Sequence, residues 1–279
     1  MPAPRISISG AQAKFLLSLD RDGSPLRPMG TSPSTHILKP DMIRQDINIF
    51  ASAANETIVM LAASLCELPT ARVSYRPIVK ACLVERYDRI LRPDGTLKRL
   101  WQTDFCQVLG KPSTIKYEID GGPTFKECYA LLDRSAQPAV DKRNLLRWLF
   151  FNLYVGNHDS HAKNLVLLTT DEGIRLAPFY DLMSTRVYAG LGPNFAFSIG
   201  GEFEPGKLDA AHLIAMAKQL GVTPKYLARI AHDMAGVDTA VVTAANEVAL
   251  LLDFNEKALV ERLVQSIRSN VEKIRKRLA

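Results

Sequence analysis

Chemistry in this chain concentrates in Gly156-Asn157-His158-Asp159-Ser160-His161-Ala162-Lys163-Asn164, followed after a short apolar run by Pro178-Phe179-Tyr180-Asp181. A loop carboxylate can take the proton of a hydroxyl nucleophile. A carboxamide and a second carboxylate are hard oxygen donors of the kind Mg²⁺ takes. The order Asp159, Asn164 five positions on, then Asp181 beyond a hairpin matches the base and metal ligands of phosphoryl-transfer sites. Two other readings stay open at this point. Asp and Asn are common in loops, so the stretch could be a polar turn between a helix and a hairpin. His158, Asp159 and His161 could also ligate a transition metal.

A phosphoryl-transfer site needs partners upstream, and the chain offers them in order. Thr35-His36-Ile37-Leu38-Lys39-Pro40 reads as a short strand ending in a lysine, and Asn55 to Cys66 has helical spacing with Glu56 near its start. A strand lysine on the phosphates, steadied by a helix glutamate, is the arrangement phosphoryl transfer uses. Arg5 to Ser9, a turn at Gly10-Ala11-Gln12 and Lys14 to Leu19 read as strand, turn and strand, a unit that can lay backbone N–H groups over phosphates. Ala71 to Tyr75 and Ile78 to Val84 read as two further strands. The second runs into Glu85-Arg86-Tyr87-Asp88-Arg89, the place for a hinge whose Glu85 and Tyr87 main chain grips adenine, with Asp88 near the ribose. Each of these residues taken singly could equally be a surface charge or a plain hairpin.

The elements that position these groups change character near residue 88, from β-rich to helix-rich. Helices are expected over 103–109, 125–132 and 140–155, with strands over 165–168 and 174–177 and a mobile Gly-rich loop over 188–201. Further helices are expected over 212–220, 224–234, 238–252 and 256–278. The 140–155 helix is so apolar in its second half that it must be buried, and it delivers the chain to Gly156 from a rigid element. The fold class is therefore α+β, with a smaller lobe over 1–87 and a larger helical lobe over 88–279.

At 279 residues, with a net charge of +6, the chain can bury a sizeable core. The four cysteines, Cys66, Cys82, Cys106 and Cys128, form no C-x-x-C pair, which points to reduced core thiols and a cytoplasmic protein. No signal peptide or membrane-length apolar run is evident. The basic stretch 268–277 is read as a solvated helix end, and as a nucleic-acid or acidic-partner surface only secondarily.

Taken together, Ser7 to Lys14, Thr35 to Lys39, Asn55-Glu56, Val84 to Arg89, Lys116-Tyr117-Glu118, Gly156 to Asn164 and Ala177 to Ser184 resemble the HipA kinases of bacterial toxin–antitoxin systems. The likeness spans the chain to about residue 185. It implies a bilobal protein-kinase-like fold, ATP and Mg²⁺, and transfer to protein serine or threonine. It assigns Lys39 to the phosphates, Asp159 as the base, and Asn164 and Asp181 to Mg²⁺. Lys163 would offset charge on the transferring group, and His161 would orient the loop by hydrogen bonding.

The phosphate loop lies almost at Met1, which is similar to the shorter HipT-type toxins that lack an N-terminal subdomain. The resemblance further implies inhibitory autophosphorylation at Ser7 or Ser9 and a HipB-like helix-turn-helix antitoxin, with DNA met only through it. It also implies a separate HipS-like protein and an aminoacyl-tRNA synthetase substrate of tryptophanyl or glutamyl type. A small-molecule phosphotransferase and a pseudokinase binding module are the alternatives.

Overall fold

A computed structural model describes residues 12–20, 22–30, 32–42, 44 and 48–278. The strand expected over Arg5 to Ser9, the turn at Gly10 and Ala11, and the serines Ser7 and Ser9 lie outside the described residues. The first part of the chain builds an antiparallel sheet from β1 (Phe15–Leu19), β2 (Pro25–Leu26), β3 (His36–Pro40), β4 (Val73–Arg76) and β5 (Ala81–Glu85), in the order β2-β1-β3-β5-β4. Lys39 pairs across β3 with Cys82 of β5, so a charged side chain sits in the buried middle of the sheet. Asp20 closes the first hairpin by accepting the N–H groups of Asp22 and Ser24.

Helix α1 (Ser52–Leu65) begins three residues before the start expected from the sequence, because its cap comes from another element. Asp41, two residues past Lys39, accepts the Ala53 N–H at 2.8 Å, and the Ser52 hydroxyl accepts the Met42 N–H at 2.7 Å. A borrowed cap leaves no local signature of the kind that marks helix starts.

The remainder contains α2 (Phe105–Val108), α3 (Phe125–Leu131), α4 (Pro138–Val155), α5 (Ala210–Leu220), α6 (Pro224–Met234), α7 (Val237–Val248) and α8 (Phe254–Leu278). It also holds the hairpin of β6 (Arg89–Leu91) with β7 (Leu97–Arg99), and a sheet in the order β10-β9-β8. In that sheet β8 (Trp101–Asp104) pairs with β9 (Val166–Thr170), and β9 with β10 (Gly173–Leu176). Residues 103 and 104, expected in a helix, therefore belong to a strand. A full capping box then starts α2 at Asp104 with Gln107.

One hydrophobic core runs through both parts. The small residues Ala53, Ala54, Ala62 and Ala63 of α1 are completely buried, and the helix packs closely against α7, whose Val241 and Ala244 are likewise buried. The helix is thus held between the small-lobe sheet and the C-terminal helices. Trp148, Phe150 and Phe151 of α4 fill the centre of the larger part, with Trp148 stacked on Phe179 at 5.8 Å.

The loop expected to be mobile over 188–201 is anchored in its second half. Phe195 and Phe197 are buried there, the latter edge-on to Phe125 and Trp148. Aromatic content outweighed the glycines. The stretch 224–251 reaches the length and apolarity of a membrane span by composition, which the sequence reading did not anticipate. It is divided into α6 and α7 and buries Leu227, Ile230, Val241 and Ala244 in the core.

The basic end of the chain is amphipathic rather than simply solvated, since Ile267, Asn270, Val271 and Ile274 of α8 face inward. Asn270 donates to the carbonyls of Leu153 and Tyr154, each at 2.9 Å, and so satisfies the last turn of α4. Replacing Asn270 with Ala leaves both carbonyls buried without that donor. The expected cost is about 1–3 kcal/mol, read as a lower urea midpoint with unchanged slope.

Candidate active site

Gly156 ends α4 in the left-handed region at φ 70°, and a Cβ there would lie 2.8 Å from the Arg186 Cβ, so the turn and the close approach both require glycine. The Gly156 carbonyl accepts the N–H groups of Thr185 and Arg186 at 3.1 and 3.0 Å, and the Thr185 hydroxyl accepts the His158 N–H at 2.8 Å. The start of the 156–164 loop is therefore tied to the segment that follows Asp181. A second chain of bonds fixes the base candidate. Asn157 donates to the Asn152 side chain at 2.7 Å and accepts the Asp159 N–H at 3.2 Å, while Asn164 donates to the Asp159 carbonyl at 3.2 Å. The Asp159 carboxylate is nearly buried and accepts the Tyr117 hydroxyl.

Across the cleft, the Lys39 ammonium donates to Glu56 and, at 2.5 Å, to Asp181. All three side chains are buried. Burial alone would lower the Lys39 pKa, but the carboxylates of Asp181 and Glu56 override it and hold the ammonium charged. Burial would raise the Asp181 carboxyl, yet Lys39 and then Lys14 hold it at about 2. For Glu56 burial prevails over Lys39 and pushes the carboxyl up. Asp181 itself sits at φ 60°, an unusual backbone conformation for an aspartate.

Asn55, beside Glu56 on α1, clamps the same segment. Its side chain donates to the Ser184 carbonyl and accepts the Ser184 N–H, both at 2.9 Å, and also donates to the Tyr188 hydroxyl at 3.1 Å. Asn55 thus fixes the 184 end of 181–184, while Lys39, itself held by Glu56, fixes the 181 end.

Between the sheet and the helical part lies a cleft of about 420 Å³. Lys14, Lys39, Glu56, Glu85, Tyr87, Asp88, Lys163 and Asp181 line it, with Ile37, Val84, Val166 and Tyr180 as its apolar walls. It therefore brings together most of the residues expected to meet a nucleotide. The Gln12 side chain donates to the Pro40 carbonyl at 3.0 Å. Two placements differ from expectation. The Asp88 carboxylate is held by Arg86 at 2.8 Å and Arg89 at 2.6 Å, so a ribose would have to share it. His161 does not orient the loop through its ring, because neither ring nitrogen has a hydrogen-bond partner among the described residues and Nε2 lies 3.5 Å from Asp159. Burial, then Lys116, pushes its pKa down to about 3, and packing edge-on to Tyr117 at 5.2 Å places the ring.

The residue types fit Mg²⁺. Asn164 and Asp181 would supply oxygen donors; the Asn164 side-chain nitrogen donates to the Asp159 carbonyl, and Asp181 is among the residues that line the cleft whereas Asn164 is not. Mg²⁺ is usually bound by one or two carboxylates plus substrate phosphates. Among the described residues no three His, Cys, Asp or Glu side chains converge as a metal cluster, and the His158 Nδ1 faces the Gly192 carbonyl at 3.1 Å.

Lys14, Asn55 and Tyr117 were not singled out for roles by sequence reasoning. All three lie in motifs that signalled them, but the contact of Asn55 with Ser184 spans 129 residues of sequence, so its role had no local signal.

Two outcomes follow from this geometry. Asn55→Ala leaves the Ser184 N–H and C=O without their partner in the core and should cost about 2 kcal/mol or more in chemical denaturation. Burial also holds His158 at about 4 and His161 at about 3, whereas both take a proton near 6.5 in the unfolded chain. Below pH 6.5 the unfolded state binds more protons, so their contribution is complete above that pH. It is lost as pH falls toward 4 and 3, by on the order of 1 kcal/mol per pH unit per imidazole. Denaturation measured from pH 7 to pH 4 should show the loss, and His158→Gln should reduce it.

Comparison with known proteins agrees with the fold. Residues 6–241 match the model of the HipA-like C-terminal domain. Y4mE of Sinorhizobium fredii, a kinase by name, is 38% identical over 97% of this chain and 64% of its own length. The serine/threonine-protein kinase toxin HipA of Shewanella oneidensis is 31% identical over 89% of this chain and 58% of its own. The chain therefore spans less than two thirds of these curated relatives. The HipA structure from the Shewanella oneidensis complex of HipA, HipB and operator DNA superposes with a TM-score of 0.83 at 28% identity, covering 98% of this chain and 67% of that one. The proinflammatory kinase CtkA of Helicobacter pylori, at 10% identity and a TM-score of 0.55 over 91% of this chain and 94% of its own, shares the fold alone. A bilobal α+β kinase-like architecture and a family match over most of its length place this chain in the HipA-like C-terminal domain family.

Proposed function

We propose that the chain is an ATP- and Mg²⁺-dependent protein serine/threonine kinase and the toxin of a toxin–antitoxin pair. The observation that carries this reading is the convergence of Lys39, Glu56 and Asp181 at one end of a nucleotide-sized cleft, with Lys163 on its wall. Residues 1–87 form the nucleotide-facing lobe in this reading, and 88–279 the lobe that carries the loop of Asp159.

Ile37, Val84, Val166 and Tyr180 would hold adenine, with the main chain of Glu85 and Tyr87 beside it, and Lys39 and Lys14 would hold the phosphates. Mg²⁺ bound by Asn164 and Asp181 would neutralise charge on the phosphates. Lys39 is steadied by Glu56, so a nucleotide arriving at Asp181 meets an ammonium already in place and little reorganisation is needed. Asp159 accepts the proton of the incoming serine or threonine hydroxyl, and Lys163 offsets charge that develops on the phosphoryl group. His161 contributes as a neutral imidazole rather than a cation.

The kinship with HipA supports a HipB-like antitoxin as partner, with operator DNA reached through it. A HipS-like companion, an aminoacyl-tRNA synthetase as substrate, and self-modification of Ser7 or Ser9 beside a phosphate loop at Gly10, Ala11 and Gln12 extend the same reading. A phosphate on either serine would add negative charge close to where the nucleotide's own must lie.

Asp159→Asn should lower transfer from ATP by about 10²- to 10⁴-fold while nucleotide binding, followed by calorimetry, stays within a few-fold of wild type. Full transfer by that variant would reject the assignment. Incubation with ATP, Mg²⁺ and cell extract, then mapping of new phosphosites by mass spectrometry, identifies the acceptor. New phosphoserine on a synthetase, absent with Asp159→Asn, is the expected result.

A further inference from the structure

The Lys116-Tyr117-Glu118 triplet has no part in the reading above, yet it is built into the site with care. Gly122 folds back so that its N–H donates to the Tyr117 carbonyl at 2.9 Å, and a Cβ at 122 would lie 2.7 Å from that oxygen. Only glycine lets this turn close. On the other side, Glu118 accepts the Ser198 hydroxyl at 2.6 Å and the Phe125 N–H at 3.1 Å, and its own N–H donates to the Ala196 carbonyl at 3.3 Å. The Tyr117 backbone is thereby held between α3 and the anchored half of the 188–201 loop.

Held this way, Tyr117 sets its ring edge-on to the buried His161 and its hydroxyl on Oδ1 of Asp159. The backbone of Asp159 is already fixed by Asn157 and Asn164. The Tyr117 hydroxyl, from a separate loop, reaches the carboxylate itself and bears on its rotation about the side-chain torsions. A water-sized space of about 30 Å³ adjoins the pair, lined by Tyr117, His158, Asp159, Thr185 and Asn194. It lies apart from the nucleotide cleft, whose lining does not include Asp159.

We propose that Tyr117 is a positioning residue for phosphoryl transfer: its hydroxyl holds one oxygen of the Asp159 carboxylate so that the other is presented to the acceptor. This rests on the kinase reading given above. In the transfer step the acceptor oxygen bonds to the terminal phosphorus, the bond to the bridging oxygen breaks with its electron pair leaving on the diphosphate, and the acceptor's proton passes to Asp159. Tyr117 keeps its own proton throughout. Loss of the Tyr117 hydrogen bond lets the carboxylate shift from its position at the acceptor, and misplacements on that scale reduce rates by about 10- to 100-fold.

The test uses the full chain with Mg²⁺ and γ-³²P-labelled ATP, following transfer to the chain itself and to water. Tyr117→Phe keeps the ring on His161 and removes only the hydroxyl. It should lower kcat by about 10- to 100-fold, with KM for ATP and the thermal midpoint close to wild type. In an Asp159→Asn background the same change should have no further effect, since groups acting as a unit are not additive. Several results would overturn the proposal: an unchanged or raised kcat, a loss seen only in KM or in the thermal midpoint, or an equal loss in both backgrounds. Equal rates for wild type and Asp159→Asn would instead dismiss Asp159 as the base and take this proposal down with it, which separates the two failures.

Discussion

The structure depends on one buried ammonium. Lys39 lies in the middle strand of the small sheet, buried at the wall of the cleft, with Glu56 and Asp181 as its two anionic partners. Taking a charge out of water is expensive, and removing one partner from such a cluster leaves another charge uncompensated. The cluster therefore dictates where its three carriers must be: β3 beside β5, α1 against the sheet, and the turn at Asp181 beneath both. Lys14, on the wall of the same cleft, adds a second positive charge toward both carboxylates, and burial raises the Glu56 carboxyl, so the cluster is close to balanced as it stands.

Everything around the cluster limits its freedom. Asp41 caps α1 from the end of the strand that carries Lys39, Asn55 clamps the chain past Asp181, and Thr185 joins that chain to Gly156. The alanines of α1 allow it to pack directly on α7, which places the helix in the core of the larger part as well as beneath the small sheet. Kinases that are switched by moving the helix glutamate need that helix to be only loosely held. Here its movement would open a shared core and unpair Asn55, so the lysine and glutamate are joined as part of the fold.

How much of this could be read from the sequence depended on the distance over which each residue acts. The loop from Gly156 to Asn164, Asp181, Lys39 and Glu56 carried signals within their own segments, and the apolar second half of α4 gave away its burial. The strand at Trp101–Asp104 did not, because its partner β9 is more than sixty residues away and supplies the pairing that its own composition does not announce. The true start of α1 was hidden for the same reason, its cap being Asp41. The 188–201 stretch was misjudged by weighing its glycines above Phe195 and Phe197. Asp88 was given a nucleotide role from order alone, and only geometry revealed its engagement with Arg86 and Arg89.

The most direct test of the cluster as a half-built metal and phosphate site is to titrate Mn²⁺ into the protein and follow the free ion by electron paramagnetic resonance, with and without a non-hydrolysable ATP analogue. Tight Mn²⁺ binding that requires the nucleotide and disappears with Asp181→Asn is the predicted result. Binding that is indifferent to the nucleotide, or that survives the loss of the Asp181 carboxylate, would contradict it.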